Sequence, residues 1–293
     1  MKERAIFIEG VDSLEEEEEF QKLLDQAELE KSVLQFPRGY LSVSQVNMFM
    51  RCGLQYKFRY VDDVISPPGV SLVEGTSMHK ALEVGLREKM DTSKIPPVDV
   101  MRDAWRDTWK KRHTDIQDWG DDGKVKASAA AEKHGMSFVT MYHRDNLPKT
   151  YPLGVEQRFW TSVGAHNIPT LGYIDLVDQE KIDLVDGKTV VDHKIVRATK
   201  SQADADSDLQ LTLYSEVSDT RHVRFDCFVK TKSPKIKTVK STRKRADYKW
   251  MSTVFDRVAE AINAGIFLPC DPTSWACTPK FCGYYRMCRG KKK

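Results

Sequence analysis

Gly172-Tyr173-Ile174-Asp175 and Val190-Val191-Asp192-His193-Lys194-Ile195 read as segments of two strands, and they decide what this chain can be. Side chains alternate along a strand, so Asp192 and Lys194, two apart, share one face. Val190, Val191 and Ile195 supply apolar surroundings. An isolated Asp-x-Lys is usually a structural ion pair. Here His79, Asp175, Gln210 and Tyr214 are further polar groups to be weighed with it.

Outward from these runs the hydrophobic period is two. Val155, Gln157 and Phe159 predict one strand, Leu171 to Val177 a second, Thr189 to Val196 a third and Val223 to Val229 a fourth. Asp186-Gly187 predicts a two-residue hairpin turn, and Ser233-Pro234 another turn. Elsewhere the period is helical. Ser42 caps a helix through Val46, Phe49, Met50, Leu54, Tyr56, Phe58 and Tyr60 that carries Cys52. A second helix, from about Val73 to Lys89, carries Gly75 and His79. Residues 97–147 predict helices with Trp105, Trp109, Ala129 to Ala131, Phe138 and Met141 in the core and a loop from Asp118 to Lys124. Helices over Leu209 to Val217 and Tyr248 to Ala264 complete an α/β (α+β) chain, a mixed sheet flanked by helices. The expected divisions are an acidic helical arm (1–36), a helical region with Cys52 and His79 (37–150), a core sheet with a basic hairpin (151–265) and a cysteine-rich tail (266–293).

The 293 residues are 40% apolar and 30% charged, which excludes a disordered chain, a collagen and a membrane protein. Apolar runs fall short of the ~20 residues a spanning helix needs. Only four apolar residues follow Met1 to Arg4, so no signal peptide and a cytoplasmic location are expected. The net charge of +3 hides an asymmetry. Residues 1–31 hold eleven acids against four bases, with Glu15 to Glu18 in the first turn of a helix that Ser13 can cap and Phe20, Leu23, Leu24 and Ala27 on its apolar side. Residues 221–249 hold eleven bases against Asp226 and Asp247. Lys230, Lys232, Lys235, Lys237, Lys240, Arg243, Lys244 and Arg245 form a strip that suits a phosphate backbone, with Tyr248 and Trp250 placed to stack on bases.

Phosphodiester hydrolysis explains the carboxylates and the lysine together. Hard oxygen ligands from Asp175, Asp192 and the carbonyl of Ile195, with a nitrogen of His79, would hold Mg²⁺ or Mn²⁺, and Lys194 would orient water or stabilise the transition state. Ile-Asp-Leu-Val-Asp occurs at 174–178 and again at 182–186, so Asp183 rivals Asp175; the glycine three residues earlier favours Asp175.

In order along roughly residues 40–290, these motifs resemble the PD-(D/E)XK nuclease superfamily, in its RecB-type branch of CRISPR-adaptation and phage recombination exonucleases. The Ser42 to Tyr60 helix, Gly75 to His79, Glu156 in Gly154-Val155-Glu156-Gln157, Gly172 to Asp175, Asp192 to Lys194 and Gln210 to Tyr214 carry the resemblance. It implies a restriction-endonuclease-like core and a metal-dependent DNA exonuclease leaving a 5′-phosphate and 3′-hydroxyl, acting in recombination, repair or phage DNA processing with a recombination partner protein. Glu156 would support the metal or its water, and Gln210 and Tyr214 would place the strand. An endonuclease, and from another class a non-catalytic DNA-binding accessory subunit, remain the alternatives.

Six cysteines in a reducing compartment point to thiols or metal ligands rather than disulfides. Cys277, Cys282 and Cys288 lie in a turn-rich tail, and Cys270 would complete a local Zn²⁺ site. The resemblance implies instead a [4Fe–4S] cluster on Cys52, Cys277, Cys282 and Cys288, which would tie the Cys52 helix to the tail. The four residues between Cys277 and Cys282, where many members have two, depart from the family pattern. Cys227 reads as a buried strand residue. A second basic patch spans Arg289 to Lys293.

Overall fold

Alternating apolar residues around Asp175 and Asp192 generate longer strands than the motifs alone outline. A computed structural model describes residues 5–8, 34–182 and 185–290. Along the chain it places β1 (Ile6–Ile8), α1 (Val43–Arg51), α2 (Gly53–Tyr56), α3 (Val70–Thr92), α4 (Val98–Arg112), α5 (Gly123–Met141), β2 (Pro152–Val163), β3 (Ile168–Ile182) and β4 (Val185–Val196). After these come α6 (Gln202–Ser207), α7 (Leu209–Val217), β5 (His222–Val229), β6 (Lys235–Thr242), α8 (Arg245–Asn263) and α9 (Tyr285–Arg289). The strands form one sheet in the order β1-β2-β3-β4-β5-β6. β3 pairs with β4, and β5 with β6, in antiparallel fashion. β4 and β5 run parallel, and α6 and α7 make the crossover that a parallel pair requires. The mixed sheet flanked by helices is the architecture expected.

The chain divides into two units. One comprises Pro67–Gln157 and Tyr173–Lys244. Its core joins Met78, Leu82, Met101, Trp105, Phe138 and Tyr142 of the helical region to Val155, Leu176, Val191 and Phe228 of the sheet. Trp105 and Trp109 stack with ring centres 5.4 Å apart. Gly135 of α5 lies flat against the Trp105 ring, where any added Cβ would collide. Below the helices, buried Arg224 on β5 pairs with Asp178, Glu180 and Asp226, so a charged group enters the core fully partnered.

The other unit comprises Met1–Ser66, Arg158–Gly172 and Arg245–Lys293. β1 pairs with β2 in antiparallel register, Phe7 opposite Phe159. Asp256 on α8 accepts the backbone N–H groups of Ala165 and His166, which pins the turn between β2 and β3. Tyr56 stacks on Phe267.

Several sequence expectations change. The Ser42–Tyr60 helix is broken at Cys52, whose φ of −166° and ψ of 109° are extended. Gly53 there approaches the Leu268 backbone so closely that a Cβ would sit 2.8 Å from its nitrogen, so the break seats the tail. Asp186 and Gly187 lie in the β3–β4 ladder opposite Lys181 and Glu180 rather than in a turn, and Ile182 pairs with Val185. Sliding these strands by an even number of residues keeps every side chain on its face, so alternation cannot choose the turn. The burial of Leu176 and Val177 opposite Val191 and Val190 does. β1 lies within the stretch read as an arm. Of Ala129 to Ala131 only Ala131 is buried. The acidic helix expected from Ser13 to Ala27, Asp183, and Lys291 to Lys293 lie outside the described residues.

Arg243, expected on the basic strip, is 1% exposed. It donates to Thr212 Oγ1, Ser241 Oγ, the Ala205 carbonyl and the Asp208 carbonyl at 2.8–3.2 Å. Its guanidinium therefore ties α6 and α7 to β6. Arg243→Ala should lower unfolding free energy by about 2–4 kcal/mol in a denaturant titration, because several buried acceptors lose their donor. A change under about 0.5 kcal/mol, the range of ordinary surface substitutions, would remove this role.

Candidate active site and cysteine cavity

β3 and β4 place two acids side by side. Directly beyond the Leu176–Val191 pair come Asp175 and Asp192. Asp175 Oδ2 accepts the His193 backbone N–H at 2.7 Å, so a side chain takes a place otherwise open to a backbone acceptor. From α3, His79 Nδ1 lies 3.3 Å from Glu156 Oε1 and 3.6 Å from Asp175 Oδ1. One donor atom from each of His79, Glu156 and Asp175 lies within 4.8 Å of the others. The Asp175 carboxylate, aided by Glu156, raises the His79 pKa to about 9. Burial pushes the Asp175 carboxyl up, and His79 opposes that push.

A second group adjoins on β4. Lys194 Nζ lies 2.8 Å from Asp192 Oδ2 and donates to Asp192 Oδ1 at 3.0 Å and to Gln210 Oε1 at 3.3 Å. Gln210 Nε2 donates to Tyr214 Oη at 2.7 Å, one turn along α7. Burial lifts the Asp192 carboxyl to about 7, with Lys194 pulling against it. Burial opposes the charge on Lys194, yet Asp192 and Asp175 hold its pKa above the ordinary lysine value. Lys194 therefore stays an ammonium. His193, between these two residues, is 3% exposed and burial drives its pKa well below the usual imidazole value, so its ring is neutral core packing.

Glu156 carries a backbone feature absent from any motif. Its φ is +46°, left-handed for a non-glycine residue inside β2. Such a conformation costs of order 1–3 kcal/mol and persists where surrounding structure enforces it. The donor set of two carboxylates and an imidazole could hold a divalent cation. Glu156, expected only to support the metal, stands in the donor group itself. Asp192 is engaged by Lys194, and Ile195 lies in the β4–β5 ladder opposite Phe228.

The expected basic strip is dispersed. Lys232, Lys235, Lys237, Lys244 and Arg245 are exposed. Lys240 pairs with Glu180 at 2.9 Å, and Lys230 pairs with buried Glu74 at 2.7 Å. β6 is the edge of the sheet, where lysines also prevent pairing with another strand. Trp250 is 65% exposed.

In the other unit, Cys52, Cys270, Cys277, Cys282 and Cys288 line one cavity. The Cys52 sulfur accepts from the Cys270 backbone N–H at 3.4 Å, Cys277 from Arg289 at 3.8 Å, and Cys282 from Gln55 Nε2 at 4.0 Å. Gln55 was not identified from sequence; only its position one turn after the Cys52 break could have suggested it. Cys227, as expected, is fully buried on β5.

The chain belongs to the PD-(D/E)XK nuclease superfamily, whose family model matches residues 40–289. Among solved structures, one from Eubacterium rectale described as a "Putative exonuclease" is 16% identical, with a TM-score of 0.54 over 87% of this chain and 90% of that one. It shares the fold. The structure of SSO0001 is 10% identical, with a TM-score of 0.34 over 78% of this chain and 89% of that one. No curated protein matches by sequence. Among the described residues no helix is long and apolar enough to cross a membrane.

Glycine accepts a left-handed backbone without steric cost. Metal-free Glu156→Gly protein should therefore melt no lower than wild type while its Mn²⁺ affinity falls at least about tenfold. A lower melting temperature with unchanged Mn²⁺ binding would make Glu156 an ordinary structural residue.

Proposed function

We propose that the protein is a metal-dependent DNA exonuclease. The observation that carries this reading is the placing of His79, Glu156 and Asp175 beside the Asp192–Lys194–Gln210–Tyr214 chain. When bound, Mg²⁺ or Mn²⁺ supplies Lewis acidity toward the phosphate and lowers the pKa of water. His79, Glu156 and Asp175 would hold the cation, with Asp192 as an adjoining carboxylate. Lys194, kept charged, cannot take a proton from water; it donates hydrogen bonds to a phosphate oxygen as negative charge builds there. Asp192 and Gln210 fix its direction, and Tyr214 fixes the Gln210 amide. Exposed Lys232, Lys235, Lys237, Lys244 and Arg245 would grip the strand backbone. Exonuclease rather than endonuclease action is preferred because the motifs resemble the RecB-type branch and the Eubacterium rectale protein is described as a "Putative exonuclease". DNA recombination, repair or phage DNA processing in the cytoplasm, beside a partner protein, is the role this activity suits.

The test is cleavage of end-labelled single- and double-stranded DNA with Mn²⁺, Mg²⁺ or chelator. Lys194→Ala and Asp175→Asn should each lose roughly 100- to 1000-fold in rate and still bind DNA. Mn²⁺ binding should tighten as pH rises toward 9, because the cation displaces the His79 proton. DNA binding without any metal-dependent cleavage in wild type would leave the non-catalytic accessory reading instead.

For the cysteine cavity the same proposal includes a [4Fe–4S] cluster held by Cys52, Cys277, Cys282 and Cys288, with Zn²⁺ as the alternative. Soft sulfurs with N–H donors aimed at three of them suit a thiolate-held centre, whose potential such donors tune. Its role is structural, because hydrolysis moves no electrons. Anaerobically purified protein should be brown, and Cys52→Ser should lose the colour as fully as Cys282→Ser. Stoichiometric zinc without iron, retained in Cys52→Ser, would overturn the cluster.

A further inference from the structure

Five cysteines line a cavity for which four ligands suffice, and the fifth is not peripheral. Cys270 reaches Cys52 directly: its backbone N–H donates to Cys52 Sγ at 3.4 Å, and both residues line the same cavity. The two residues stand 218 positions apart, one at the break between α1 and α2 and the other at the start of the tail. The backbone approach of Gly53 to Leu268 and the Leu54 N–H to Leu268 carbonyl bond hold these two segments together independently of any metal. The sulfurs are thus presented to one another by the fold.

We propose that Cys270 is a reserve thiol: when the cavity holds no metal, Cys52 and Cys270 close a disulfide that keeps the tail on the α1–α2 break until a metal centre is rebuilt. The proposal extends the metal-centre reading and stands for iron–sulfur or zinc alike. The oxidant is a peroxide. The Cys52 sulfur, as thiolate, attacks one peroxide oxygen; the O–O bond breaks, a sulfenic acid forms and, with the thiol's proton, water leaves. The Cys270 sulfur then attacks the Cys52 sulfur, the S–O bond breaks and a second water leaves. In sum two thiols lose two protons and two electrons, and one hydrogen peroxide is reduced to two waters. A dithiol reductant reverses the step by exchange.

The experiment uses the full chain, stripped of metal by chelation under reductant, desalted and treated with one equivalent of hydrogen peroxide. Peptide mapping after alkylation should find Cys52 joined to Cys270 as the main product, reversible by dithiothreitol. Trypsin should release the tail of Cys270→Ser apoprotein about tenfold faster than that of oxidised wild-type apoprotein, since an untied segment opens more often. As isolated, Cys270→Ser should keep its full metal content. A main disulfide joining Cys277 to either residue, or Cys52 left as a free thiol or sulfinic acid, would overturn the proposal. Loss of metal from Cys270→Ser as isolated would make Cys270 a ligand and overturn it equally. Metal analysis of wild type reads the cluster separately, so an iron-free protein that still forms Cys52–Cys270 would sink the cluster and leave the reserve thiol standing.

Discussion

The 2.7 Å hydrogen bond from the His193 amide to Asp175 Oδ2 is the constraint on which the site depends. It makes a buried carboxylate part of the strand ladder, so Asp175 cannot swing away from β4 without orphaning a backbone donor. Fixed in this way, its other oxygen faces His79. Its strand neighbour across the ladder is Asp192, which aims Lys194. The same register decides the packing behind the site. Val191 lies opposite Leu176, and both belong to the core under α3 and α5. A single pairing thus sets both which residues meet and which side chains are buried.

Negative charge is concentrated beyond what a sheet tolerates for stability alone. Glu156, Asp175 and Asp192 converge on the neighbourhood of one imidazole and one ammonium. Burial makes Asp175 and Asp192 hold protons more tightly than exposed acids, and the Asp175 carboxylate makes His79 hold its own. Glu156 adds backbone strain at the same place. Strained backbone and buried charge cluster here at one position, as they do at functional sites.

Much of this was legible in the sequence because the signals are local. Alternation marked the strands carrying Asp175, Asp192 and Cys227, and i,i+4 spacing put Gln210 and Tyr214 on one helix face. Helices around Trp105 and Phe138 followed from period alone. The β3–β4 turn did not, since the repeated Ile-Asp-Leu-Val-Asp leaves alternation satisfied by more than one register. β1 is three residues long, too short for any period to show. Arg243 was misjudged because charge density says nothing about direction: its neighbours Thr242 and Lys244 are exposed, while its own side chain points inward. α6 carried a readable signal in Ser201 and Asp204, whose reciprocal capping bonds are formed.

The contact of Gly53 with Leu268 also has a consequence during synthesis. Every segment of the Pro67–Gln157 and Tyr173–Lys244 unit is synthesised before α8 and the tail. The α1–α2 segment, made much earlier, must wait for Phe267 before Tyr56 gains its stacking partner. Until then Phe49 and Tyr56 lack that cover on a nascent chain, a state in which apolar surface recruits chaperones or aggregates. A chain stalled short of residue 267 would therefore carry Phe49 and Tyr56 without the ring that covers them, however well its central strands had folded.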